Sequence, residues 1–116
     1  MVSNQTPKPI VLINGFSTSI ANHPERLLVE FRRITPSALR EAVQNATTIL
    51  NYIRHPATVN ILNELLGTQL GVNSGLYTWR GERVIMIVLN APQRGQEATP
   101  RPEDLVIYEV VIHTSE

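Results

Sequence analysis

His55 lies immediately before a helix-like segment in the stretch "YIRHPATVNILNELLG", residues 52–67. Pro56 suits a first helical position, and the apolar spacing behind it ends at Gly67, a residue typical of helix C-termini. The unpaired N–H groups of a helix N-terminus favour an anion, and an imidazole can protonate a leaving oxygen near neutral pH. The same pattern is typical of a histidine that only caps or packs, and residue type alone favours that simpler interpretation.

Two further segments have the composition of anion-binding loops. "NGFSTS", residues 14–19, follows a short β-branched run and offers backbone N–H groups beside small hydroxyls, but it lacks the Gly-Lys-Ser/Thr of a P-loop. "QRGQE", residues 93–97, places Arg94 and Glu97 three positions apart in a glycine-containing loop of the kind that closes over ligands. For each of these segments, taken alone, an ordinary surface turn or connection is the favoured interpretation.

Metal and thiol chemistry have no support in the sequence. His23, His55 and His113 show no HxH or HExxH spacing, no acidic cluster adjoins them, and the chain has no cysteine. A G-x-S-x-G nucleophile elbow is also absent. We therefore expect neither a metal site nor a cofactor.

The elements that must position these residues can be predicted from periodicity and from turn residues. Alternating or β-branched apolar runs predict strands at 9–15, 26–34, 47–53 and 105–114. Helical spacing predicts helices at 35–46, with Thr35 as N-cap, and at 56–67. Residues 73–90, with Arg80-Gly81 between two apolar runs, are predicted as a hairpin, and 91–104 as a loop. The predicted fold class is α+β, a mixed sheet of about five strands with two main flanking helices.

Length and composition indicate a single small domain. A chain of 116 residues, of which 42% are hydrophobic, can bury one core. We predict a lead-in over residues 1–8 and a single domain over 9–116. The apolar runs are too short to span a bilayer, and the N-terminus lacks the pattern of a secretion signal. We expect a cytoplasmic protein without membrane contact, in the host cytoplasm if the source is viral.

The charge balance limits the kind of anion that the chain can bind. Ten Lys and Arg balance ten Asp and Glu, and Lys8 is the only lysine. Proteins that hold long duplexes usually carry a basic excess, because phosphate contacts drive that binding. Arginine forms the better fork for a phosphate. Any anionic ligand is therefore expected to be small and held locally, and no long nucleic acid is expected.

Taken together, four segments of the chain resemble the viral type III anti-CRISPR ring nucleases, a family of small viral proteins with bacterial homologues. The segments are "VLINGFSTSI" (11–20), "IRHPATVNILNELLGTQL" (53–70), "IMIVLNAPQRGQE" (85–97) and "YEVVIHT" (108–114). The distinctive parts are Asn-small-Phe-Ser after the first strand, His-x-x-Thr at a helix start, and Gln-Arg-x-x-Glu after an apolar strand. The likeness covers roughly residues 9–114 and is specific in combination.

The resemblance implies a two-fold homodimer that binds cyclic tetra-adenylate, the second messenger of type III CRISPR defence. It implies metal-independent cleavage of the ring to linear di-adenylates with 2′,3′-cyclic phosphate ends. By this resemblance His55 is the general acid, Glu97 positions or tunes it, and residues 91–104 form a lid. The residues it assigns to substrate binding are Arg94, which would hold phosphate, and Asn14, Gly15, Phe16 and Ser17, which would line the ribose-phosphate path.

Two positions depart from the family pattern, and two other functions stay open. Arg54 and Pro56 flank the histidine where the family has a small residue and an acidic one. One alternative is a sponge, a protein that binds the cyclic nucleotide without cutting it. The other is a small viral DNA-binding or regulatory dimer, against which the zero net charge counts.

Overall fold

The structure is a computed structural model that describes residues 8–90 and 101–114. Its strands are β1 (Pro9–Ile13), β2 (Leu27–Ile34), β3 (Thr48–Asn51), β4 (Arg83–Leu89) and β5 (Leu105–Thr114). Its helices are α1 (Pro36–Gln44) and α2 (Pro56–Leu66), with short 3₁₀ helices at Thr18–Ala21 and Pro102–Asp104. No helix in these two ranges is long and apolar enough to cross a membrane.

The five strands form one mixed sheet in the order β2-β5-β4-β1-β3. β1 is parallel to both of its neighbours, β3 and β4, whereas β5 pairs antiparallel with β4 and β2. The chain passes from β3 through α2 to β4, so β1 lies between two strands that one helix connects. The predicted α+β class, with a five-stranded mixed sheet and two main helices, is confirmed.

Both helices begin where the sequence predicts, and α2 also ends at the predicted Gly67, whereas α1 ends at Gln44, before the predicted residue 46. Thr35 caps α1 by accepting a hydrogen bond from the Ala38 N–H at 3.1 Å, and Pro36 follows it. At the end of α2 the chain turns through Gly67, whose φ of +67° lies in the left-handed region that glycine tolerates best. β3 ends at Asn51 and α2 begins at Pro56, so residues 52–55 connect the carboxyl end of β3 to the N-terminus of α2.

The sheet separates two apolar clusters because successive strand residues point to opposite faces. The helices cover one face, where Leu39 and Leu62 pack against Leu12 and Ile85, and all four of these side chains are fully buried. On the other face, Val11 and Val84 are covered by the 3₁₀ helix at Thr18–Ala21 and by the connection before β4. The central strands β1 and β4 are therefore buried on both faces.

The predicted hairpin over residues 73–90 is wrong. Both edges of β4 are occupied, by β1 on one side and β5 on the other, so the preceding segment has no edge on which to pair. Instead, the Trp79 backbone N–H donates to the Ile20 carbonyl at 2.8 Å, and Tyr77 is buried against the sheet. Gly81, with φ of +98°, does form the predicted turn, but this turn leads into β4 and joins no strand pair.

Candidate functional site at the carboxyl edge of the parallel strands

The chain opens a crevice where it leaves β1 and β3 in opposite directions. After β1 it crosses to the face opposite the helices, where Ile20 is buried, and after β3 it enters α2 on the helical face. Adjacent parallel strands whose connections diverge in this way leave a cleft beyond their carboxyl ends, the usual ligand position in open α/β sheets. Asn14, Arg54 and His55 all lie at this edge.

His55 is the N-cap residue of α2, and its ring contacts that helix. The imidazole Nδ1 lies 3.2 Å from the hydroxyl of Thr58, which is only 2% exposed. The histidine itself is exposed, and its Nε2 has no partner among the described residues. A buried hydroxyl thus orients the ring through one nitrogen and leaves the other nitrogen accessible for proton transfer.

The N-terminus of α2 differs from that of α1 in lacking a side-chain cap. No side chain of the described residues caps α2, whereas Thr35 caps α1. Pro56 has no N–H, so the N–H groups of Ala57 and Thr58 are the donors that the first turn leaves without an intrahelical partner. The positive end of the helix dipole acts in the same direction. The arrangement favours an anion beside His55.

Asn14 lies between two depressions of the surface. The smaller, of about 130 Å³, contains Asn14, His55, Thr58 and the end of β4. The larger, of about 320 Å³, contains Asn14, the loop after it, and Arg54. The half-buried side chain of Asn14 makes no hydrogen bond within the described residues, so its amide can donate and accept towards a ligand in either depression.

The loop Gly15–Ser17 is fixed at its middle and open elsewhere. The ring of Phe16 packs edge-to-face on that of Phe31 of β2, with centroids 6.1 Å apart, and thereby anchors the loop to the sheet. The Ser17 hydroxyl lies 2.7 Å from that of Ser19. A Cβ built at Gly15 would meet nothing within 4 Å, so the backbone there is open to a ligand. The four predicted residues Asn14 to Ser17 all line the larger depression.

Residues 75–77 form the opposite wall of the larger depression. Tyr77 donates from its hydroxyl to Glu82 Oε1 at 2.7 Å, and the Arg80 N–H donates to the same oxygen at 2.7 Å. Burial, together with the carboxylate of Glu82, raises the pKa of Tyr77 well above its ordinary value. Burial alone would raise the pKa of Glu82, but these hydrogen bonds outweigh it and lower the pKa below 4.5. Glu82 therefore acts as an ionised anchor for the wall.

The structure brings five of the seven predicted site residues to one edge of the sheet. These are His55, Asn14, Gly15, Phe16 and Ser17. Arg94 and Glu97 lie outside the described residues, and so does most of the predicted lid at 91–104. In residues 8–90 and 101–114, His, Asp and Glu side chains form no cluster of three that could hold a metal.

Sequence reasoning missed the contact of Thr58 with His55 and did not place the side chain of Arg54. The hydroxyl at the third position after the N-cap was part of the His-x-x-Thr motif, but it was not assigned to the histidine. A residue three positions after the N-cap lies within reach of the N-cap residue, as in a capping box. This spacing in the sequence could have predicted the contact between Thr58 and His55. Arg54 departs from the family pattern, and the sequence leaves open whether it faces a phosphate, because no residue pattern reports which way its side chain points.

Two comparisons with known proteins bear on this fold. The structure is similar to B116 of Sulfolobus turreted icosahedral virus (STIV), with a TM-score of 0.63 and 21% identity, over 87% of this chain and 97% of that one. No curated protein matches the chain. The STIV B116-like family matches residues 10–105, which include the whole crevice described above. By this match over most of its length, the chain belongs to the STIV B116-like family.

Proposed function

We propose that this protein is a metal-independent ring nuclease that cleaves cyclic tetra-adenylate and so shuts off type III CRISPR signalling. The proposal rests on the resemblance of four segments to the anti-CRISPR ring nucleases and on one geometric observation. That observation is the position of His55: its Nδ1 contacts the buried Thr58 hydroxyl, and its Nε2 is open beside Asn14 and the uncapped start of α2.

The reaction needs a nucleophile that RNA itself supplies. A ribose 2′-hydroxyl loses its proton to solvent and attacks the adjacent phosphorus, forming the O2′–P bond of a 2′,3′-cyclic phosphate. The P–O5′ bond breaks, and O5′ takes a proton from Nε2 of protonated His55. General acid catalysis of this kind contributes about 10²–10⁴-fold. During the step Nδ1–H can donate to the Thr58 hydroxyl, so the ring stays in place as the proton leaves Nε2.

Charge on the phosphorane is stabilised by donors that are already in place. The N–H groups of Ala57 and Thr58 and the dipole of α2 act on a phosphate beside His55. Asn14 holds the same nucleotide from the β1 side, with Ser17 and the backbone of Gly15 along its path. By the resemblance, Arg94 would add a phosphate contact and Glu97 would position the histidine; both residues lie outside the described ranges.

The ligand's symmetry suits a two-fold homodimer. A ring of four identical nucleotides has a two-fold axis, so one dimer can present each of its features twice to the ring. Two cuts on opposite sides then yield two linear di-adenylates. Each protomer thus supplies one His55.

The test is to incubate the purified protein with labelled cyclic tetra-adenylate in EDTA and to separate the products. We expect linear di-adenylate with a 2′,3′-cyclic phosphate end. An intact ring that migrates with the protein would indicate a sponge and contradict the enzyme assignment. An intact ring that does not bind would contradict the ligand as well.

A further inference from the structure

The two depressions that share Asn14 contain different chemistry. His55 and Thr58 line the smaller one, whereas the neighbouring Arg54 lines the larger one. The adjacent residues Arg54 and His55 therefore line two different depressions, one with a permanent cation and one with an acid–base group. Asn14 lines both depressions. Of the cation and the acid–base group, the proposed reaction uses only the acid–base group.

Arg54 is one of the few arginines in the described part of the chain that have no structural partner. Most of the others are held in place: Arg32 by Glu30, Arg83 by Glu109, Arg101 by Glu103, Arg40 by the Leu65 carbonyl, and Arg33 over the Tyr108 ring. Arg54 makes no hydrogen bond or ion pair within residues 8–90 and 101–114. Its five donors are available to a ligand.

The larger depression has the lining that a nucleotide requires. Within the described residues no carboxylate lines it, and the carboxylate of Glu82 behind Tyr77 accepts hydrogen bonds from the Tyr77 hydroxyl and the Arg80 N–H. Tyr52 and Tyr77, with ring centroids 5.1 Å apart, form an apolar wall, and Leu76 is 88% exposed at its rim. Aromatic and apolar side chains of this kind take up unstacked bases in single-stranded RNA sites. Phosphate at Arg54 and a base against this wall would occupy one nucleotide subsite.

The products assign a role to this second subsite. Cutting a ring of four nucleotides into two dinucleotides breaks every second phosphodiester bond, so each protomer of a dimer cleaves one phosphate and must hold another intact. We propose that Arg54 binds this uncleaved phosphate in the larger depression, while His55 acts on the scissile one in the smaller. This inference rests on the proposed function and adds a specificity-determining residue to it.

The test compares Arg54→Ala, Arg54→Lys and the matched control Arg26→Ala. Arg26 is exposed, lies next to the start of β2, and makes no ion pair among the described residues. Binding of cyclic tetra-adenylate is measured in variants that also carry His55→Ala, so that the ring stays intact. Single-turnover cleavage at saturating protein is measured in variants that retain His55. We expect Arg54→Ala to weaken binding about 10- to 100-fold, as the loss of a charge-assisted hydrogen bond does, and to leave the saturated cleavage rate within about threefold.

A further measurement separates a phosphate contact from a structural effect. The slope of log Kd against log salt should fall by about 0.7 in Arg54→Ala, since one phosphate contact is lost. It should be unchanged in Arg26→Ala and largely restored in Arg54→Lys, which also recovers part of the affinity.

Three results would overturn the inference. Unchanged binding and salt slope in Arg54→Ala would remove the residue from the ligand. Normal binding with a slow saturated rate would move Arg54 to the scissile phosphate. Failure of the wild-type protein to bind the ring at all would overturn the proposed function itself. This result is distinguishable from the first two, because both of those require that the wild-type protein binds the ring.

Discussion

At the scale of single residues, the chemistry depends on how the His55 ring is held. The only described side chain within hydrogen-bond distance of its Nδ1 is Thr58, at 3.2 Å, and Thr58 is 2% exposed. A buried hydroxyl makes few alternative contacts, so it defines the ring orientation better than solvent would. In the proposed mechanism, Thr58 is thus a positioning residue for the general acid.

Thr58→Val keeps the buried shape and removes the hydroxyl. We expect the saturated cleavage rate to fall about fivefold, the equivalent of the ~1 kcal/mol of one hydrogen bond, with KM for cyclic tetra-adenylate within about twofold. Single-turnover kinetics on the variant, with Thr58→Ser as the control that restores the hydroxyl, would measure this. Equal losses in the Val and Ser variants would show that the hydroxyl does not orient the ring.

The sequence could identify His55 and the loop after β1, but not their proximity. A histidine before Pro56 signals a helix start, and Asn14 follows a buried apolar run. His55 and this loop lie close together only because β1 and β3 are adjacent and parallel in the sheet. That long-range pairing is not specified by any local sequence pattern. The direction of the Arg54 side chain is unpredictable for the same reason.

At the scale of elements, the connection of residues 67–82 shapes the site although it has no regular structure. Asn73 fixes its middle: the backbone N–H donates to the Ile53 carbonyl at 3.0 Å and the side-chain amide to the Asn51 carbonyl at 3.0 Å. The Asn73 Oδ1 accepts from the Gly75 N–H at 2.8 Å. Long connections of this kind in compact domains are usually functional. Here the connection supplies one wall of the larger depression.

The anchor of that wall should make stability depend on pH. The folded-state pKa of Glu82 is lowered, so its contribution is present above the unfolded pKa and is lost as pH falls through the folded pKa, below 4.5. Glu82→Gln should therefore be less stable than wild type at pH 7, and the difference in Tm should shrink as the pH is lowered from 5 towards 3.

Thermal unfolding of both proteins between pH 7 and pH 3 would measure this difference. Glu64→Gln, on the exposed face of α2, is the matched control and should show a constant small difference. A wild-type advantage over Glu82→Gln that does not change with pH would contradict an ionised anchor.

The wrong hairpin prediction at residues 73–90 arises because local sequence patterns do not report which strand edges are already paired. The apolar runs and the Arg80-Gly81 turn are those of a hairpin, and local rules therefore predict one. In the fold, β1 occupies one edge of β4, although β1 lies about seventy residues earlier in the sequence. This tertiary pairing overrides the local hairpin signal. The elements with strong local end signals, α1 and α2, were predicted well for the converse reason.

At the scale of the whole molecule, the net charge is zero, but the larger depression of the crevice is lined by the cation Arg54 and, within the described residues, by no carboxylate. On the face of the sheet that carries the helices, exposed charges are paired, as in Arg83 with Glu109 at 2.7 Å and Arg32 with Glu30 at 2.8 Å. Arg54 in the crevice has no such partner among the described residues. This distribution suits the proposed local binding of phosphate and lacks the basic surface that a long duplex requires.

The most direct test of the account is the single-turnover cleavage of labelled cyclic tetra-adenylate in EDTA by wild type, His55→Ala and His113→Ala. His113 is the matched control, an exposed histidine near the end of β5 that lines neither depression. The account predicts a loss of at least about a hundredfold in His55→Ala, with ring affinity within several-fold, and a wild-type rate in His113→Ala. A near-normal rate in His55→Ala would remove this histidine from the mechanism and contradict the assignment of the site.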